Sequence, residues 1–164
     1  YGLPALSWAA VLAVLVGAAV TRAARVGLVL WTAMALWPGV HVTPRHIWAI
    51  FWFGLNGSLF LATLGVLTSI WAEKFDHAAT ISNFVVAPLA LLSGTFYSVD
   101  HLAPAFRAVS HANPFFYIIS GFRYGFLGEA DSPITVGAFL LLVINIVMLG
   151  IAYALLRSGW KLKN

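Results

Sequence analysis

Four long stretches in the interior of the chain carry no formal charge. Residues 26–44 hold none between Arg25 and Arg45, and the same holds for 46–72, 77–99 and 132–156, giving gaps of 19, 27, 23 and 25 residues. A helix needs about 20 apolar residues to cross a hydrocarbon core of about 30 Å. In hydrocarbon the backbone must satisfy its own hydrogen bonds, which selects helices over open strands. Composition closes the other routes. The 164 residues are 62% hydrophobic and only 9% charged, whereas a soluble domain carries about 25% charged residues. So few charges cannot cover a water-exposed surface, and an aromatic content of 15% excludes a disordered chain. The sequence predicts an all-α integral membrane protein.

Punctuation places the helices. Thr43-Pro44 and Ser132-Pro133 each set an N-cap residue before a first-turn proline. Pro38-Gly39 ends the first span after Trp37, and Glu73-Lys74-Phe75-Asp76 is a polar turn between the second and third. Only Arg22-Ala23-Ala24-Arg25 separates the apolar stretch 1–21 from the next, with no Gly, Pro or Asn to reverse the chain. A continuous helix from about Ser7 to Trp37 is therefore expected, with Arg22 and Arg25 near a membrane boundary. Residue 1 is Tyr and no charged leader precedes the apolar sequence, so the chain reads as a piece of something longer. The expected layout is a single transmembrane domain over 1–164: an interfacial segment plus first span at 7–38, a second span at 44–72, a third at 77–98 and a fourth at 132–157.

Between the last two spans, 101–128 reads differently. Leu102, Phe106 and Val109 recur at helical spacing among polar residues, and Asn113-Pro114 starts a second short helix dense in aromatics. Only 15 uncharged residues separate Arg107 from Arg123, too few for a comfortable crossing. A re-entrant helical hairpin that returns to its own side puts Arg22, Arg25, Lys74, Arg157, Lys161 and Lys163 on one face and Arg45, Arg107 and Arg123 on the other. The excess of basic residues marks the cytoplasmic face, so the C-terminus is expected there.

Reactive chemistry is sparse. The three lysines, 74, 161 and 163, lie in no phosphate-binding loop, and no His-Glu-x-x-His or Gly-x-Ser-x-Gly occurs. There are no cysteines, hence no disulfide and no thiolate site. His41, His46, His101 and His111 are read as loop histidines rather than a metal site, so no metal ligands are assigned. Asp76-His77 reads as a helix cap rather than an acid–base pair. The net charge of +4 is spread over single bases, which fits loops beside membrane spans rather than a nucleic-acid surface. Within the spans Asn56, Ser58, Thr63, Asn83, Ser93 and Asn145 read either as lining of a route or as interhelical hydrogen bonding beside small residues. Pro88 removes one N–H from its helix and leaves the Phe84 carbonyl without its usual partner, so a kink is expected there. Ser93-Gly94 weakens the helix again.

The run Ala72-Glu73-Lys74-Phe75-Asp76, then Pro88-Leu89-Ala90-Leu91-Leu92-Ser93-Gly94-Thr95-Phe96-Tyr97, then Asn113-Pro114-Phe115-Phe116-Tyr117, then Gly121-Phe122-Arg123 resembles the membrane subunit of type-2 ABC exporters. The closest likeness is to bacterial permeases of the polysaccharide- and drug-export group, over residues 6–163. The resemblance implies a six-span permease of which this chain holds the third to sixth spans, paired as a homodimer or with a second permease. It implies a separate ATP-binding cassette subunit that carries ATP and Mg, so no cofactor is expected in this chain and no enzyme activity of its own. Asn83, Pro88, Ser93 and Gly94 would form the substrate pathway and hinge. Phe96, Tyr97, Asn113, Pro114 and Arg123 would belong to the external hairpin, and Glu73, Lys74, Phe75 and Asp76 would touch the ATPase subunit. The implied setting is the bacterial cytoplasmic membrane, with lipid as a further partner. The alternative is a secondary transporter or channel fragment with no ATPase partner. That alternative calls for an ionisable residue buried mid-span, and the sequence offers none. One departure concerns Ser120, where members of the family often carry an acid that would neutralise Arg123 one turn later. Arg123 is then expected to find Glu129, a lipid headgroup or water.

Overall fold

The computed structural model describes residues 5–37, 43–72, 79–93 and 104–158, with side chains from 8 and from 108 in the first and last of these segments. All regular structure among the described residues is helical. In chain order the helices are α1 (Ala5–Ala35), α2 (Ile47–Trp71), α3 (Ala79–Leu91), α4 (Pro104–Ala112), α5 (Pro114–Leu127) and α6 (Ile134–Ser158). Three of them, α1, α2 and α6, are long and apolar enough to cross a membrane. At 1.5 Å per residue α3 is about 20 Å long, short of a crossing by itself. The remainder of the expected 77–98 span lies outside the described residues, as do Pro38-Gly39 and the Glu73–Asp76 turn.

As the missing punctuation predicts, α1 passes through Arg22 and Arg25 without a break. It tightens as it ends, with Trp37 N–H reaching Met34 O three residues back. Both threonines of its exposed stretch bond inward, Thr21 to Ala18 O and Thr32 to Val29 O, and so leave no hydroxyl unmatched in an apolar setting.

Two helix starts differ from the sequence reading. α2 begins at Ile47, with His46 rather than Thr43 as its cap. Arg45 N–H and His46 N–H both donate to Gly125 O at 2.9 Å, which holds 45–46 extended against α5 before the helix can start. α6 begins at Ile134: Pro133 O accepts Gly137 N–H, so the proline holds the cap position instead of the first turn. Ser132 is diverted to Ser120, 3.0 Å away. Asn113-Pro114 behaves as expected, with Asn113 Oδ1 accepting Phe115 N–H at 3.0 Å at the start of α5.

The bundle is organised around α2, which packs against α1, α5 and α6. α5 runs antiparallel along the first half of α2. Gly125 lies against Ile50, Gly121 against Phe53, Ile118 against Gly57, and Phe115 meets Phe60 edge-on at 5.5 Å. The approach depends on missing side chains, because a Cβ on Gly121 would overlap the Phe53 ring and one on Gly57 would sit 2.9 Å from Ile118 Cγ2. Small residues at crossing points are how helices meet closely in lipid. α6 then runs parallel to α2 over most of its length. Gly137 lies beside Tyr117 and Phe53, Asn145 bonds Asn56, and Ala152 and Leu156 join Leu12 and Val16 of α1 in a second cluster with Val66 and Ile70.

Polar side chains sit between the two apolar clusters. Asn145 Nδ2 donates to Asn56 O at 3.0 Å and to Asn56 Oδ1 at 3.1 Å, while Asn56 Nδ2 returns to Trp52 O. Thr63, fully buried, bonds Leu59 O. At Asn56 and Asn145 the structure therefore shows interhelical hydrogen bonding, the packing alternative of the sequence reading.

Candidate functional site

Pro88 lacks the N–H that an α-helix would aim at Phe84 O, and the chain accommodates this upstream. Ser82–Val86 form a π-turn, closed by Ala87 N–H reaching Ser82 O five residues back. In place of a simple kink, the helix widens just before the proline and resumes as α-helix over Ala87–Leu91. None of the π-turn residues is buried, and Asn83 and Pro88 are both exposed. An open groove of about 280 Å³ lies between this turn and α2, lined by residues that include Leu61, Gly65, Thr68, Ser69, Ser82 and Val86.

The other end of α3 is different. Ser93, 1% exposed, turns both its N–H and its hydroxyl back to Ala90 O. The last carbonyls of a helix have no partner within it, and here the neighbouring hairpin supplies two. Asn113 Nδ2 donates to Leu89 O, and Ser110 Oγ donates to Leu92 O at 2.9 Å. Ser110 and Asn113 are buried as completely as Ser93. Tyr117 OH reaches His111 O at 2.9 Å and ties the end of α4 to α5. Ser93, Asn113 and Pro114 are thus brought together, while Asn83 and Pro88 stand apart on the exposed side of α3. Gly94, Phe96, Tyr97 and Glu73 to Asp76 lie outside the described residues. Ser110 was not singled out from sequence; its only signal is a hydroxyl on the apolar side of a short amphipathic helix.

Arg123 finds its acid further along the chain than expected. It pairs with Asp131, beyond the turn that closes α5, rather than with Glu129. That turn needs Gly128, whose φ of +80° is open to glycine and strained for other residues. A Cβ there would also meet Arg45 Cδ at 3.0 Å. Ser120, buried, accepts the Asp131 N–H at 3.1 Å and bonds the Ser132 hydroxyl. The hydroxyl that stands where an acid was anticipated therefore holds the segment that supplies one. On the same end of the bundle His46 stacks on Tyr124 at 4.3 Å, with Trp48 edge-on to the tyrosine. No group of three or more His, Asp or Glu side chains capable of holding a metal occurs among the described residues. What the arrangement offers is a helix with one wide, exposed turn and one firmly bonded end.

Comparison with known proteins bears on what such a helix set does. The sequence profile of the family described as ABC-2 type transporter matches residues 2–127. The chain is 34% identical over 149 residues to the inner membrane transport permease YadH of Escherichia coli K12, covering 91% of this chain and 57% of that protein. It is 27% identical over 154 residues to nodulation protein J of Neorhizobium galegae, covering 93% and 53% respectively. The chain spans little more than half the length of these curated relatives. No solved structure gives a significant match.

Proposed function

The chain belongs to the ABC-2 type transporter family, and on that premise we propose that it forms part of the membrane permease of an ATP-driven exporter in a bacterial inner membrane. In this reading α1, α2, the stretch 77–98 that includes α3, and α6 are the third to sixth spans of a six-span subunit. The permease pairs with a second permease, identical or not, and the pair docks ATP-binding cassette subunits at the cytoplasmic face. Those subunits hold ATP and Mg, and this chain performs no chemical step. The turn Glu73–Asp76 contacts them, and the C-terminus lies on the same side.

The observation that carries the reading is the placement of α5. It accompanies only the first half of α2, from Phe60 back to Ile50, and returns to the end where α2 began. A pair of short helices that enters part-way and leaves by the same side accounts for the deficit of uncharged residues between Arg107 and Arg123, and it keeps six of nine basic residues on the cytoplasmic face. Export then requires two arrangements of the permease pair that differ in their contacts with the ATPase. α3, with its π-turn, Pro88 and the Ser93-Gly94 break, is the element that differs between them. Asn83 and the groove beside Ser82 border the route.

The test is co-expression of the intact permease with any P-loop ATPase that a neighbouring reading frame encodes, followed by reconstitution in vesicles. A stable complex is expected whose ATP hydrolysis depends on both chains. Glu73→Ala with Lys74→Ala weakens that association, and Gly94→Leu leaves insertion intact while abolishing export. A permease that moves solute on an ion gradient alone, with no ATPase bound, overturns the proposal.

A further inference from the structure

Asn113 serves two helices at once. Its Oδ1 accepts Phe115 N–H, which fixes the other end of the amide as the donor, and that donor goes to Leu89 O of α3. Ser110 makes a second bond across the same boundary, to Leu92 O. Ser93, Ser110 and Asn113 are each at most 2% exposed. With no water at hand to replace them, breaking these bonds leaves buried polar groups unmatched. At the opposite end of α3 the π-turn Ser82–Val86 has no buried residue. α3 therefore has an anchored end and a wide, uncovered one.

We infer that Asn113 and Ser110 are positioning residues that bind the Ala87–Ser93 segment to the α4–α5 hairpin as one moving unit, which turns relative to the start of α3 at the π-turn. Displacement of the Ala87–Ser93 segment is then shared with the hairpin through two hydrogen bonds. The coupling matters for export only if the transport reading above holds, but the unit itself is independent of it.

These 164 residues contain no cysteine, so spin labels can be placed at chosen positions in the intact permease in lipid vesicles once any cysteine elsewhere in it has been replaced. Leu91 and Leu127, both exposed, report on α3 against α5; Ala79 and Leu127 report across the π-turn. The Leu91–Leu127 pair gives one narrow distance distribution and the Ala79–Leu127 pair a broader one. Asn113→Ser keeps a cap acceptor but is too short to reach Leu89 O, and it widens the Leu91–Leu127 distribution by about twofold while leaving Ala79–Leu127 nearly unchanged. Ser110→Ala gives the same change to a smaller extent and serves alone if the first variant does not fold. A Leu91–Leu127 distribution that is as broad as Ala79–Leu127, or that neither substitution changes, overturns the inference. These distances need neither ATPase nor substrate. The anchored unit can therefore fail while ATP dependence stands, and ATP dependence can fail while the unit stands.

Discussion

α5 and the second half of α1 are both apolar helices, and they lead opposite lives. Seven of the 14 residues of α5 are buried, whereas every residue from Thr21 to Trp37 in and after α1 is exposed. Apolarity does not separate them, because in lipid an uncovered leucine is no liability. The difference lies in what interrupts the apolar run. α5 carries Gly121 and Gly125 on the face that meets α2, which allows close approach, and Ser120 beside them, which makes a buried hydrogen bond to Ser132. The corresponding glycine of α1, Gly27, has nothing within 4 Å of where a Cβ would stand. Small and polar residues, more than hydrophobic ones, mark a face that meets another helix in a membrane.

The comparison can be broken by substitution, read as the unfolding free energy of the detergent-solubilised permease. Phe116→Ala, at a fully buried ring, is expected to cost about 3–5 kcal/mol, while Trp31→Ala, 42% exposed, costs little. A large loss from Trp31→Ala shows that a further chain or segment covers α1. Gly121→Ala forces a methyl into the Phe53 ring and costs about 1–3 kcal/mol, against nearly nothing for Gly27→Ala. Ser120→Ala removes the acceptor for Asp131 N–H and the partner of Ser132 and costs about 1–2 kcal/mol; an unchanged stability would mean that the Asp131 turn holds without it. Smallest is Asn145→Leu, which removes two bonds to Asn56 at about 0.6 kcal/mol, the usual worth of such a contact between membrane helices.

Local signals in the sequence carried the elements and missed their partners. The unbroken α1 followed from four residues without a turn former, and the start of α5 from Asn113-Pro114, because both are decided within a few residues of chain. The start of α2 moved to Ile47 because Gly125, some 80 positions away in sequence, claims the N–H groups of Arg45 and His46. Arg123 was matched to Glu129, a lipid headgroup or water, but its acid is Asp131, two residues further on in a segment pinned by Ser120. Asn56 and Asn145 were each visible as polar residues in apolar helices. That they face one another depends on the crossing of α2 and α6, which no single stretch encodes. Within the candidate site, the proline was legible and the π-turn that absorbs it was not. Proline states which bond is missing, and the surrounding packing decides where the chain makes room.

A helical turn holding one residue more than its neighbours also changes the phase of all that follows. Each α-helical residue advances the side chains by about 100°, so an unwidened Ser82–Val86 would rotate Leu89 and Ser93 by roughly that angle about the axis of α3 and aim the Leu89 carbonyl away from Asn113. The exposed half of the helix thereby sets the azimuth of its anchored half. Deleting a single residue between Ser82 and Val86 would close the wide turn to an ordinary one and leave Leu89 still aimed at Asn113.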